Sequence, residues 1–305
     1  MKQFAGRTAV ITGAGSGFGL EFAREAARRG MHLVLADVQD DALAAAVAEL
    51  QGQGAQVLAQ KVDVGSAAAM EAFAGAALER FGVPHLVFNN AGVAFGGLIW
   101  EHTQTDWEWV INVNLWGVAH GVRLFVPHMV AAAQQDPAYE GHIINTASMA
   151  GLLNAPNMGV YNVTKHAVVS LSETLYQDLA LVTDQVGASV LCPYFVPTGI
   201  HQSHRNRPAE LKGARPTQSQ MIAQVMSEKA VTSGKVTAAE VAAKTFAAIE
   251  ARQFYIYSHP QALGMVQTRL EDVALGRNPT DPFKDRPDLG QKLRTQLRTQ
   301  LRAEA

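Results

Sequence analysis

Residues 7–30 read RTAVITGAGSGFGLEFAREAARRG. Thr8, Val10, Ile11 and Thr12 make a short β-branched run, a glycine cluster follows, and helix-period residues continue to Gly30, a residue suited to ending a helix. Strand, glycine turn and helix in that order predict the opening unit of a nucleotide-binding α/β fold. Gly13 permits a tight turn off the strand, and Gly17 lets backbone approach a pyrophosphate. Gly19 lets helix and strand pack closely, leaving free N–H groups at the helix start to receive phosphates.

Working outward, MHLVLAD ends in Asp37, 18 residues beyond Gly19. A carboxylate at that strand end accepts hydrogen bonds from both ribose hydroxyls and repels a 2′-phosphate, which predicts NAD over NADP. Ser16, Val38 and Gln39 supply no cation for such a phosphate. Further strands are expected near 56–60, 85–89, 141–147, 188–194 and 254–257, joining those near 7–12 and 32–36, with helices between. The expected fold class is α/β: a doubly wound, all-parallel, seven-stranded sheet in the order 3-2-1-4-5-6-7. Ligands of such a sheet bind at the carboxyl ends of its strands, where Gly13, Asp37, Asn90, Ser148 and Pro193 fall.

A proton-transfer pair lies later in the chain. Tyr161 and Lys165 stand four apart in YNVTKHAVVSL, and Ser148 lies thirteen residues upstream in HIINTAS. On a helix that spacing puts phenol and ammonium on one face, so a cation sits beside a group whose ordinary pKa is about 10. A tyrosine held in that way can exchange a proton near neutral pH.

Together these motifs resemble the short-chain dehydrogenase/reductase family. Residues 12–19, TGAGSGFG, are similar to TGxxxGxG, residues 89–92 to NNAG, and Tyr161 with Lys165 to YxxxK; Ser148, and Asn114 in INVNLWG, fall at the family's other two catalytic positions. The resemblance implies an NAD-dependent alcohol dehydrogenase or ketoreductase with the Rossmann fold. Tyr161 would be general acid or base. Lys165 would lower the phenol's pKa and bind the nicotinamide ribose, Ser148 would hold the substrate oxygen, and Asn114 would support a water linking Lys165 to solvent. Cofactor contacts are implied at Gly13, Ser16, Gly17, Phe18, Gly19, Asp37 and Val38, then at Asp63, Val64, Asn90, Ala91 and Gly92, and finally at Tyr161, Lys165, Pro193, Val196 and Thr198.

Two departures stand out. CPYFVPT has Tyr194 where the family usually has glycine, plus an extra proline, Pro197; a large aromatic there would narrow the pocket beside the nicotinamide. His85 replaces a common aspartate, implying altered local hydrogen bonding and unchanged chemistry. Residues 198–230 break the strand and helix rhythm and are expected to form a substrate lid. With Phe95, Ser148, Met149, Leu153, Asn154, Met158, Tyr161 and Tyr194 this lid should shape the substrate pocket. Those side chains are mostly apolar or aromatic, which predicts a hydrophobic, aryl-bearing secondary alcohol or ketone. A hydroxysteroid or benzylic carbinol dehydrogenase of a catabolic pathway is the enzyme alternative. A nucleotide-binding regulatory protein is the alternative of another class, and it usually shows a broken tetrad or glycine loop.

The chain has 305 residues, 48% hydrophobic and 17% charged, with net charge −2, enough for one large α/β domain over 1–260 with a helical extension over 261–305. No basic block precedes residue 280 and no apolar run reaches spanning length, so neither nucleic acid nor stable membrane association is expected. The single cysteine, Cys192, excludes an intrachain disulfide and points to a reducing, cytoplasmic setting; the first strand leaves no room for a signal peptide. His201 and His204 lack a third ligand, so no metal site is expected. Asn162-Val163-Thr164 spells a glycosylation acceptor but sits within the predicted catalytic helix, which discounts it. Leu289, Leu293, Leu297 and Leu301 recur at four-residue spacing beside Arg294, Arg298 and Arg302, an amphipathic basic helix. It can dock on its own or a neighbouring subunit, touch a membrane surface weakly, or fray; docking on protein is the expectation. The family resemblance and the apolar stretch WVINVNLWGVAHGVRLFV imply a homo-oligomer, dimer or tetramer.

Overall fold

A computed structural model describes residues 1–212 and 215–303, with side chains described through Thr299; the side chains of Leu301 and Arg302 lie outside the described residues. In chain order come β1 (Thr8–Thr12), α1 (Gly17–Arg28), β2 (His32–Asp37), α2 (Asp40–Gly52), β3 (Val57–Lys61), α3 (Ala67–Phe81) and β4 (Leu86–Asn89). Next are α4 (Gln104–Ile111), α5 (Gly117–Gln135), β5 (Gly141–Thr146), α6 (Gly159–Val182) and β6 (Val186–Cys192). After β6 the chain forms α7 (Gln218–Thr232), α8 (Ala238–Ala251), β7 (Tyr255–Tyr257), α9 (Leu263–Ala274) and α10 (Pro287–Ala303).

All strand pairs are parallel and the order is β3-β2-β1-β4-β5-β6-β7, as the sequence predicts. Strand periodicity explains the layers. Ile11, Leu33, Leu35, Phe88, Ile144 and Leu191 point to one face, where they meet Phe22 of α1 and Phe246 of α8. Val10, Val34, Val87, Ile143 and Ala188 point to the other, against Phe73, Phe125, Met129 and Leu179. Both faces are covered, which is why the strands are near-continuously apolar; each large side chain so buried contributes about 1.5–3 kcal/mol.

Strand order reverses between β1 and β4, opening a crevice at their carboxyl ends. Three local features refine the sequence reading. Strand β6 runs two residues earlier than expected: Val186 and Gly187 pair with Gly141 and His142, and Pro193, which has no N–H to donate, ends it. The helix expected through Asn114 is broken by a π-helical segment, Asn112–Trp116, between α4 and α5. His85 takes a backbone N–H from Thr8 on its Nδ1 at 3.3 Å. Burial pushes its imidazole down to about 4, so it stays neutral and structural at physiological pH.

Candidate active site

The crevice floor is built by one hydroxyl. Thr12 Oγ1 accepts from the backbone N–H of Asn90 at 3.0 Å and of Ala91 at 3.1 Å, and donates to the Phe88 carbonyl at 3.3 Å. Asn90 continues the staple: its Nδ2 donates to the Thr12 carbonyl at 3.0 Å and its Oδ1 accepts from Thr146 Oγ1 at 3.2 Å. The ends of β1, β4 and β5 are thereby held together. Gly13 has φ +66°, and a Cβ there would stand 2.9 Å from Ala91 Cα. A Cβ on Gly19 would stand 2.0 Å from the Gly13 carbonyl oxygen. The turn can form only with glycine at both places.

Helix α1 starts on Ser16 with no side-chain cap and no acid in its first turn. Its leading N–H groups, and the positive end of its dipole, therefore remain available to an anion. Asp37 stands beside them, its Oδ2 accepting from Gly15 N at 2.8 Å and its Oδ1 from Gln39 N at 2.9 Å. Two backbone N–H bonds fix the carboxylate while leaving lone pairs free for further donors.

At the opposite end, α6 presents Tyr161 and Lys165 on one face. The Lys165 ammonium donates to the Thr146 carbonyl at 2.9 Å and lies 5.7 Å from the centre of the Tyr161 ring. Burial pushes that ammonium down to about 8. Burial pushes the Tyr161 phenol up, and a hydrogen bond with Ser148 pulls it back. The Thr146 carbonyl takes one of the three ammonium N–H donors, leaving two for other acceptors. Ser148 Oγ accepts from Ala150 N at 3.1 Å, which fixes the hydroxyl at the start of a 3-10 turn.

Asn114 is a brace. Its Oδ1 accepts from Val93 N at 2.8 Å, and its Nδ2 donates to the Val93 carbonyl at 3.0 Å and to Thr164 Oγ1 at 3.1 Å. Thr164 in turn donates to the Tyr161 carbonyl at 3.0 Å. Both amide protons are used, so the water-supporting role expected of Asn114 does not fall to its amide donors.

One cleft of about 1510 Å³ joins these groups. Of the expected cofactor contacts, Gly13, Ser16, Gly17, Phe18, Asp37, Val38, Asp63, Val64, Asn90, Ala91, Gly92, Tyr161, Lys165, Pro193, Val196 and Thr198 line it. Gly19 does not, because it faces Gly13. Ser148, Met149, Leu153, Asn154, Met158 and Tyr194 line the end near Tyr161. Phe95 packs 5.8 Å from Trp109 and 5.4 Å from His102, centre to centre, and lines a small adjoining cavity that shares Met158 and Ala223 with the cleft wall. The Arg207 guanidinium holds it there, lying 5.6 Å from the Phe95 ring and pairing with buried Asp106 at 2.6 Å. Tyr194 lines the cleft with its backbone N–H held by Ser258 Oγ at 2.9 Å and its ring centre 4.3 Å from that of Phe195.

Sequence reasoning missed one whole wall. Met265, Thr268, Phe283, Arg286 and Leu289 of the carboxyl-terminal segment line the cleft, beside Met226 and Ala230 of α7, which belong to the expected lid. Thr280 N donates to Asp272 Oδ2 at 2.9 Å and Phe283 N to Asp281 Oδ1 at 2.9 Å, so the proline-broken loop is an ordered strap. Helix α10 packs against α7, with Leu293 5% exposed, which seats that leucine of the stripe on its own chain. The Asp-Pro-Phe-Lys-Asp-Arg-Pro stretch carried the available signal, since Asp two residues before a turn amide commonly closes it.

A family model described as short chain dehydrogenase matches residues 7–209. The chain belongs to the short-chain dehydrogenase family. A crystal structure of a family member from Burkholderia phymatum in complex with NAD superposes with a TM-score of 0.89 at 54% identity, covering 92% of this chain and 99% of that one. A CLA biosynthesis dehydrogenase/reductase of Lactiplantibacillus plantarum is 32% identical over 277 residues, 90% of this chain and 95% of that protein. A C alpha-dehydrogenase of Sphingobium sp. strain SYK-6 is 36% identical over 214 residues, 69% of this chain and 67% of that protein.

The protein is thus an oxidoreductase of this family, acting on a small molecule with a nicotinamide dinucleotide. The residues fit that cofactor: glycines at the two points where a Cβ would collide, an uncapped helix start for phosphates, and a fixed carboxylate at the end of β2. No helix among the described residues is long and apolar enough to cross a membrane. Burial pushes the Cys192 thiol up to about 12, so it takes no part as a nucleophile.

Proposed function

We propose that the protein interconverts a secondary alcohol and a ketone with NAD, using Tyr161 as the general acid or base. The observation that carries this reading is the meeting of Ser148, Tyr161 and Lys165 with the open start of α1 and Asp37 in one cleft. When bound, the nicotinamide supplies or accepts the hydride. The chain's own residues do the rest. The Tyr161 phenol, protonated at neutral pH, donates its proton to the ketone oxygen in reduction and is left as phenolate; in oxidation that phenolate takes the alcohol's proton and returns to phenol. Ser148 holds the substrate oxygen, and Lys165 holds the nicotinamide ribose and supplies positive charge to the developing phenolate. Asn114 positions Tyr161 through Thr164.

Asp37 supports NAD over NADP, since its fixed carboxylate repels a 2′-phosphate and accepts from ribose hydroxyls. Met149, Leu153, Met158, Tyr194 and Met226 support a hydrophobic, aryl-bearing substrate, with residues 198–230 as its lid. Residues 1–260 form the catalytic unit and 261–305 its extension. Exposed Trp116 and Val163, on the helices beside the site, support a homo-oligomer, and the lone buried cysteine a cytoplasmic setting. The test is turnover of a panel of aryl, alkyl and steroidal alcohols and ketones, read by nicotinamide absorbance with each cofactor. Reduction of aryl ketones by NADH is the expected result. Tight NADH binding with no turnover across the panel would instead favour a nucleotide-binding regulatory protein.

A further inference from the structure

The mouth of the cleft carries charge that alcohol and ketone chemistry does not use. Some charges on its strap are already committed. Arg277 pairs with Asp272 at 3.1 Å and with Glu271 at 3.7 Å, and Asp281 pairs with Arg294 at 2.5 Å. Arg286 lines the cleft with no ion pair within 4.0 Å among the described residues, as do Arg205, Lys229, Lys235, Arg269 and Lys284, and its charge is the one that acts on Tyr194 of the same cleft. Its neighbours Lys284 and Asp285 also line the cleft, leaving residues 284–286 net positive.

The strap is built to hold Arg286 in that place. Its backbone N–H donates to the Phe283 carbonyl at 2.8 Å, its own carbonyl accepts from Leu289 N at 3.1 Å, and Gly290 lies so close under Phe283 that a Cβ would come within 2.9 Å. Tyr194 lines the same cleft and follows directly on Pro193, the residue whose carbonyl receives the Ser148 hydroxyl at 3.4 Å. The guanidinium field reaches the Tyr194 phenol and pulls its pKa down against the larger upward push of burial. The same cleft is lined by Met149, Leu153, Met226 and Met265, which can hold an apolar body and offer no charge to an anion.

We infer that the substrate is an apolar, aryl-bearing alcohol or ketone that also carries a carboxylate, and that Arg286 receives this carboxylate while the reacting carbon lies at Tyr161 and Ser148. The inference rests on the alcohol and ketone reading above for its reacting end. A planar guanidinium matches a carboxylate through two parallel hydrogen bonds, a fit that neither an ester nor an amide can supply. Because Arg286 is at the exposed rim, its effect is modest in size and screened by salt.

The test compares aryl ketones bearing a ring carboxylate, 4-acetylbenzoate first and then longer acids, with their methyl esters. Affinity for the protein–NADH complex is read by calorimetry, and turnover is read separately. The acid should bind roughly tenfold more tightly than its ester at low salt. Raising the salt to about 0.5 M should shrink that advantage. Arg286→Gln should abolish it, and Arg286→Lys should keep part of it, with the thermal midpoint and NADH affinity of both variants retained. Equal affinity for acid and ester in the unsubstituted protein overturns the inference. So does an Arg286→Gln variant that weakens both ligands alike, since that marks a structural role in the strap. If acids bind preferentially through Arg286 but no ketone is reduced, the anion site stands and the alcohol and ketone reading falls.

Discussion

Thr12, Asn90 and Asp37 hold one wall of the cleft with hydrogen bonds set into or beside the sheet, and glycines fill the places where any side chain would collide. A second wall, from Pro279 to Leu289, is held by turn amides, one seated leucine and ion pairs such as Arg294 with Asp281, both about half exposed. The first wall is made of strand ends whose positions the core dictates. The second is a strap laid over α7 from outside. Buried bonds are costly to break and leave unpaired groups behind, whereas exposed pairs contribute about 0–1 kcal/mol each. Chemistry common to the family belongs on the first wall and substrate choice on the second, so substitutions on the two should have separable consequences.

The largest effect is expected on the inner wall. Gly19→Ala puts a methyl 2.0 Å from the Gly13 carbonyl oxygen and must displace the turn. NADH affinity should fall by about 100-fold, or folding should fail, as read by calorimetry and thermal unfolding. Next comes Asp37→Ala, which should weaken NADH binding by roughly 10–100-fold, the worth of hydrogen bonds to a charged group, while NADPH loses much less. Tighter NADPH than NADH binding by the unsubstituted protein would break the assignment of Asp37.

Protonation gives a smaller, continuous effect. Lys165 is held at about 8, below the ordinary lysine value, so its ammonium is present below that pH and lost above it. Ketone reduction should therefore be flat below pH 8 and fall as pH rises through it; kcat/KM unchanged to pH 10 would contradict this. The smallest effect belongs to the strap. Leu293→Ala should loosen α10 by about 1 kcal/mol and raise the KM for ketone about fivefold, leaving NADH affinity and the main unfolding transition in place. If NADH binding weakened in parallel, the two walls would not be separable.

The inner wall was legible in the sequence and the outer one was not, for a physical reason. Thr8–Thr12, the glycines and Asp37 act locally: each fixes a turn, a close approach or a strand end within a few residues of itself. Gly19 and Asn114, site residues by their motifs, stand off the cleft surface, one against the Gly13 carbonyl and the other bonded to Val93. The cluster of Phe95 with Trp109 under the guanidinium of Arg207, 112 residues away in sequence, has no local mark in the chain. The π-helical segment at Asn112–Trp116 left no mark on the apolar pattern, which is similar for both helix types. Leu289 and Leu293 announced an amphipathic helix but not its seat, since a stripe says which face is buried and nothing about what covers it.

The central claim is that proton transfer at Tyr161 completes a hydride transfer between nicotinamide and a carbonyl carbon. Tyr161→Phe tests it most directly, with NADH affinity and ketone reduction measured on the same preparation. The account predicts affinity within about twofold of the unsubstituted protein and a reduction rate lower by about 1000-fold, the scale of a lost general acid. A variant that binds NADH and keeps more than about a tenth of the rate would contradict it.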